Sequence, residues 1–379
     1  MRRVPRPALP RAPAAAARIY LRPLSPLAGR LAAEAVAAGR ARPLAGGSRA
    51  FSRLSVIVRG DGVATETTAS LGDVVAWAAH LAPTHGDRVG ALLDRLSAPR
   101  PAIAGVAMDR PSVMGVVNVT PDSFSDGGDF ADAASAVAQG RALAAAGAAI
   151  VDLGGESTRP GSDPVAEDEE MARVLPVVEA LAKAGLRVSI DSRRAAVMRA
   201  AVGAGAAMVN DVSALRFDAG ALAAVAETGA PVVLMHAQGD PKTMQARPTY
   251  DDAPLDVYDF LEARIAACAA AGIERARIVV DPGIGFGKTL EHNLQILAHL
   301  SLFHGLGTAI LLGVSRKSFI GRLAEAPAAK GRLPGSLAAG LAGIAQGVQM
   351  LRVHDAAETV QALAVWEAIA DGEAAAVVY

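Results

Sequence analysis

The chain is poor in cysteine, in net charge and in long apolar runs, and each shortage removes a class of protein. Of 379 residues one is cysteine, Cys268. That excludes an intramolecular disulfide and a cysteine-built zinc site, and makes a reducing cytoplasm the expected setting. The 37 Lys and Arg nearly balance the 38 Asp and Glu, for a formal net charge of -1. No basic surplus calls for nucleic acid or an anionic membrane surface. No apolar run reaches the roughly 18 residues that a membrane span needs. The apolar content of 52% therefore belongs to a large, Ala-rich core. The first thirty residues also lack the compact apolar segment of a secretory signal.

What is present falls into two parts, 1–108 and 109–379. Residues 1–50 hold many arginines and one acidic residue, Glu34. The composition is that of an organelle transit peptide, but it reads more simply as an Arg/Ala/Pro-rich leader, disordered over 1–16. LSVIVRG (54–60) predicts a strand, SLGD (70–73) opens a helix through Leu81 with a capping-box pattern, and a second helix is expected over Asp87–Leu96. SAPRPAIAG (97–105) reads as a linker. This is a small α/β extension with no recognisable chemistry.

From Pro111 the rhythm changes. SVMGVVNV (112–119), AAIVDLG (148–154), LRVSID (186–191), AAMVND (206–211), PVVLMH (231–236), RIVVDPG (277–283), AILLGV (309–314) and QMLRVHD (349–355) are eight apolar runs, each followed by a helix-length stretch. Apolar strands alternating with helices form a parallel sheet buried on both faces. Eight units in about 270 residues predict a (β/α)8 TIM barrel. A doubly wound open sheet is the alternative, but it would carry a Gly-rich phosphate turn after its first strand, which is missing.

Each run ends in polar residues: Asn118, Asp152, Asp191, Asn210 with Asp211, His236, Asp281, Ser315 with Arg316 and Lys317, and Arg352 with His354. All stand at the carboxyl end of a strand, where barrel enzymes build their sites. One strand-end Asp is commonly a turn residue; eight polar ends in eight strands point to a ligand. Asp and Asn match the donor–acceptor edge of a guanidine-like heterocycle, while Lys, Arg and His face anionic oxygens. Two rim loops, NVTPDSFSDGGDF (118–130) and GGESTRPGSDPV (154–165), have the makeup of closing lids. Asp122, Asp126 and Asn118 offer oxygens to a lightly held Mg2+ bridging a diphosphate, and Thr158 and Arg159 offer donors to an anion or an aromatic carboxylate. Equally, these loop residues could simply form turns. Other motifs fail: GIGFGKT (283–289) misses the Walker spacing because Pro282 stands where the first Gly belongs, GVSRK (313–317) lacks the last Gly of a nucleophile elbow, and His236 and His354 have no zinc spacing.

Together the motifs resemble the dihydropteroate synthase family, folate-pathway transferases that join p-aminobenzoate to a dihydropterin diphosphate. The pieces are MGVVNVTPDSFSDGG (114–128), DLGGESTRPG (152–161), IDS (190–192), NDVSAL (210–215), LMHAQGDPKTMQ (234–245), DPGIGFGKTLEHN (281–293), GVSRKSFIG (313–321) and RVHD (352–355). The resemblance implies that Asp191, Asn210, Asp281, Lys317 and Arg352 hold the pterin, with Asp191, Asp281, Lys317 and Arg352 carrying the catalysis. It implies a diphosphate site of Asn118, Arg352 and His354, with Mg2+ on Asn118. It implies a p-aminobenzoate pocket, which is also the sulfonamide pocket, shaped by Phe124, Thr158, Arg159, Pro160, Phe286 and Ser318. A homodimer acting on small molecules follows from the same resemblance. Ala237 and Arg194 depart from the residues common in the family, Met and Lys. A pterin-binding methyltransferase would have no use for the diphosphate residues or the arylamine loops, and a decayed binding protein would have lost charges from the rim.

Overall fold

The computed structural model describes residues 3–5, 8–60, 63–119, 129–157, 162–240 and 242–372. The eight expected strands are present as β7 (Ser112–Asn118), β8 (Ile150–Gly154), β9 (Val188–Asp191), β10 (Met208–Asp211), β11 (Val232–Met235), β12 (Ile278–Asp281), β13 (Ala309–Leu312) and β14 (Met350–Val353). All pair in parallel, and β14 closes on β7 with Arg352 opposite Met114. Their helices are α4 (Asp129–Ala145), α5 (Glu167–Lys183), α6 (Ala195–Gly203), α7 (Ala221–Thr228), α8 (Ala253–Ala270), α9 (Leu290–Leu297), α10 (Ser318–Leu323) with α11 (Leu333–Ala345), and α12 (Ala356–Asp371). The strands read as continuous apolar runs because both faces are covered: Val232, Val233 and Leu234 are all fully buried. No described helix is long and apolar enough to cross a membrane.

The barrel floor is closed by a segment that begins inside the expected linker 97–105 and runs on past it. Ile103 and Val106 exchange backbone hydrogen bonds of 2.9 and 2.8 Å. With Met108 they pack under Met114, Met208, Val233, Val279 and Met350. Only the first residues after Ser97 act as a connection. They are held by Arg100, whose buried guanidinium donates to the carbonyls of Thr308, Ala98, Arg95 and His304 at 2.8–3.1 Å.

The first hundred residues fold as a sheet ordered β1 (Arg3–Pro5), β6 (Val63–Ser70), β5 (Arg53–Gly60), β2 (Arg18–Pro23), with α1 (Gly29–Ala37), the short pair β3 (Arg42–Pro43) and β4 (Ala50–Phe51), α2 (Leu71–Ala78) and α3 (Pro83–Ser97). Ser70 caps α2 as expected, accepting from the Asp73 N–H at 3.1 Å. The next helix starts a turn earlier than its pattern predicts, because Pro83 suits a first turn. The expectation of disorder over 1–16 is corrected. Arg3–Pro5 pairs in parallel with β6, and the Arg3 guanidinium grips Asp252 at 2.8 and 3.0 Å. Trp77 donates to the Pro10 carbonyl at 2.7 Å.

This module lies on α8 and on the 3-10 segment Leu300–Leu306, and its Ile19, Tyr20 and Leu21 share one apolar cluster with Tyr258 and Phe303 of the barrel. Arginines on the module meet carboxylates on α8: Arg59 with Asp256 at 2.7 Å, Arg18 with Asp259 at 3.2 Å, Arg95 and Arg88 with Glu262 at 3.4 and 3.7 Å. Cys268, also on α8, is fully buried.

Candidate active site

The barrel mouth is organised around Arg352 near the end of β14. Its Nε donates to Asp152 Oδ2 at 2.6 Å and its Nη2 to Asp191 Oδ2 at 2.7 Å. Asn210 Nδ2 reaches the same Asp152 oxygen at 3.0 Å. Four strands, β14, β8, β9 and β10, thus meet at one point. Asp152 is fully buried, and its Oδ1 has no hydrogen-bond partner among the described residues. A buried acceptor left open among the described residues is costly, and Asp152 carries that cost where the four strands meet. Burial pushes the Asp191 carboxyl up to about 7, against the pull of Arg352 and with Asp152 adding to the rise. Burial alone would depress the Arg352 guanidinium, but Asp152 and Asp191 outweigh it and hold it above its ordinary value.

Across the mouth stands Asp281, 5% exposed. It accepts from the Gly283 N–H at 2.7 Å. Burial raises its pKa, and the nearby Lys317 ammonium opposes that rise most strongly. Lys317 donates to the Ile284 carbonyl and lies 4.2 Å from the centre of the Phe286 ring. Ser318, next in the chain, opens α10 and is exposed. Beside Phe286 a cavity of about 260 Å3 is walled by Arg193, Val212, Phe217, Ala237 and Met244. On the remaining side, half-buried Asn118 ends β7. His354 Nδ1 pairs with the Ser315 hydroxyl at 3.0 Å, which orients the ring.

Three of the strand-end residues do not join this group. Asp211 folds back on its own turn, accepting from Ser213 N–H and Oγ and from Leu215 N–H at 2.6–2.8 Å. Arg316 turns outward to a two-pronged pair with Asp355, Nε to Oδ2 at 2.9 Å. His236 is held by Lys288, Nζ to Nδ1 at 2.9 Å. Each is a turn or packing residue, the ordinary role of a strand-end polar group, so the polar ring is smaller than the pattern of eight implies. Phe124, Asp122, Asp126, Thr158, Arg159 and Pro160 lie outside the described residues.

Residues 114–354 match the pterin binding enzyme family. The dihydropteroate synthase of Escherichia coli strain K12 is 47% identical over 267 residues, 70% of this chain and 94% of that protein. A Xanthomonas albilineans dihydropteroate synthase solved with 4-aminobenzoic acid superposes with a TM-score of 0.67 at 50% identity, over 72% of this chain and 98% of that one. The same enzyme solved with 7,8-dihydropteroate gives 0.65 at 48% identity. The chain belongs to the dihydropteroate synthase family. Being nearly complete on the relatives' side and about 70% on this one, the likeness leaves over a length comparable to that of the N-terminal module.

Two groups in the dihydropteroate synthase barrel were given no role by the sequence. Asp152 was visible as a strand end, yet nothing local marks it as the hub of Arg352 and Asn210. Glu156, inside GGESTRPG, accepts from Arg193 at 2.9 and 3.1 Å, from Arg194 at 3.2 Å and from the Val165 N–H at 3.1 Å. It ties both stems of the second rim loop to the end of β9. The pairing of a motif carboxylate with two consecutive arginines 37 and 38 residues on was the available signal.

Proposed function

We propose that the protein condenses 6-hydroxymethyl-7,8-dihydropterin diphosphate with p-aminobenzoate, giving 7,8-dihydropteroate and diphosphate. The observation that carries this reading is the convergence of Arg352, Asp152, Asp191 and Asn210 on one point, opposite Asp281 and Lys317, in a barrel of this family. The carboxylates and Asn210 suit the N–H-rich edge of the pterin. Lys317 suits its carbonyl, and Arg352 lies beside the ring. Phe286 and Ser318, with the rim-loop residues Phe124, Thr158, Arg159 and Pro160, would take the arylamine.

In the reaction the C–O bond between methylene and diphosphate breaks and a C–N bond to the arylamine forms. The arylamine then loses a proton. Positive charge growing on the pterin is opposed by Asp191 and Asp281, held in place before the reaction begins. His354, oriented by Ser315, and Arg352 attract the departing diphosphate. No protein nucleophile is required. Among the described residues no group of three or more His, Cys, Asp or Glu could cage a metal. One amide oxygen on Asn118 fits Mg2+ that keeps its other ligands from diphosphate and water. When bound there, it would neutralise charge on the leaving group.

A cytoplasmic homodimer completes the proposal. The lone buried Cys268 suits a reducing compartment, and Val365 and Ile369, 56% and 74% exposed on α12, suit contact with a second copy; light scattering on the eluted protein decides the stoichiometry. The activity test is direct: protein, Mg2+, dihydropterin diphosphate and p-aminobenzoate should release diphosphate and dihydropteroate in equal amounts. Diphosphate release without the conjugate, or neither product, would sink the reading.

A further inference from the structure

The segment GIGFGKT fails as a phosphate loop, and its geometry shows a different use for the same residues. A phosphate loop turns backbone N–H groups toward an anion. Here the carbonyls of five consecutive residues are each taken by a side-chain donor. Lys288 Nζ bonds the Gly283 carbonyl at 2.8 Å and the Phe286 carbonyl at 3.0 Å. Lys317 bonds Ile284, Gln245 bonds Gly285 at 2.6 Å, and Tyr250 bonds Gly287 at 2.7 Å. Gly283 and Gly287 have φ of 69° and 60°, and a Cβ on either would collide with the carbonyl oxygens of His236 and Gln238. The loop is therefore pressed against the strand end of β11.

Lys288 sits beneath it, 3% exposed, with no carboxylate in hydrogen-bond contact among the described residues. Its four neighbours are three carbonyl oxygens, the third being that of His236 at 3.2 Å, and His236 Nδ1 at 2.9 Å. Burial holds the Lys288 amine well below its ordinary pKa, and its four polar neighbours give every N–H a partner. Burying an ammonium is expensive, and the expense is offset only if every proton is bonded.

We propose that Lys288 is a positioning residue for the pterin: its hydrogen bonds lock the main chain of 283–287 and so fix Asp281 on one side of the site and Phe286 on the other. This rests on the pterin-binding reading above. The lysine touches no substrate; it acts through the loop it holds.

The test is calorimetric titration of full-length protein with the dihydropterin diphosphate in Mg2+, without p-aminobenzoate. Lys288→Met keeps the length and removes the donors. It should weaken pterin binding about tenfold or more. Val225→Ala, a core substitution in α7 that lowers Tm without touching the loop, should leave the affinity unchanged. Lys288→Met binding within about twofold of the wild type overturns the inference, as does an equal loss in Val225→Ala, which would make the effect general destabilisation. If Lys288→Met does not fold, Gln245→Leu and Tyr250→Phe each delete one donor from the same row of carbonyls. Both should weaken the pterin about threefold, and wild-type affinity in both overturns the inference. Wild-type protein that fails to bind the pterin overturns the functional reading instead.

Discussion

Two regions of the molecule are dense in arginine–carboxylate pairs, and they treat them differently. Between module and barrel, Arg3, Arg18, Arg59, Arg88 and Arg95 meet Asp252, Asp256, Asp259 and Glu262, with water at the rim: Arg18 keeps 38% of its side-chain surface and Arg95 32%. Most of those charges are spent on one another, although Arg3 Nη1 and Arg88 Nη2 are buried without a hydrogen-bond partner among the described residues. In the barrel mouth Asp152 is fully buried, shares one oxygen between Arg352 and Asn210, and leaves the other without a partner among the described residues. The first region is glue. The second gathers Asp152, Asp191, Asn210 and Arg352 from four strand ends at the barrel mouth, where barrel enzymes build their sites.

The comparison can be tested from both ends. Deleting residues 1–108 should have the largest effect, since it strips the cover from Tyr258 and Phe303 and removes the barrel floor; soluble yield should collapse. A soluble, active barrel would show that the shared apolar cluster is dispensable. Arg352→Met leaves Asp152 and Asp191 without their shared cation, Asp152 keeping Asn210 alone, and urea unfolding should lose roughly 3–5 kcal/mol. Lys317→Ala should cost about 2 kcal/mol in pterin binding, roughly thirtyfold in Kd by calorimetry. Affinity close to wild type would remove Lys317 from the pterin site.

Proton linkage gives a subtler probe of the mouth. Burial lifts the Asp191 carboxyl from its ordinary 3.8 toward about 7, with Arg352 pulling it back toward the ionised form. Between those values the native state binds more protons, so this group makes the fold more stable as pH falls from 7 toward 4. In Asp191→Asn the plot of Tm against pH should flatten across that window. An unchanged slope would mean that another group titrates there. Smallest of all, Arg59→Ala at the module should cost about 1 kcal/mol or less, and the loss should shrink in high salt.

The barrel was legible because its information is repeated: eight apolar runs, each ending in a polar residue, carry one message many times. The ring of polar ends was legible only as a set. Asp191, Asn210, Asp281 and Arg352 project inward, while Asp211 closes its own turn two residues on, which is what any strand-end Asp does when Ser213 lies within reach. Nothing in the string distinguishes Asp211 from its neighbour Asn210. The floor was misread because AIAGVAM is short and rich in small residues, although its Ile103, Val106 and Met108 mark apolar contacts. Order near Arg3 was invisible for a similar reason. It depends on Asp252, 249 residues away.

Cys268 lies inside α8, the helix on which the module rests, and burial pushes its thiol up to about 11. A thiol that is both covered and protonated reacts slowly with disulfide reagents. As the chain's one sulfhydryl, it labels only when α8 is uncovered or unfolds, so labelling rates become a clock for release of the module. Slow labelling that follows global unfolding would mean the two parts open together; faster labelling would mean the module lifts off alone.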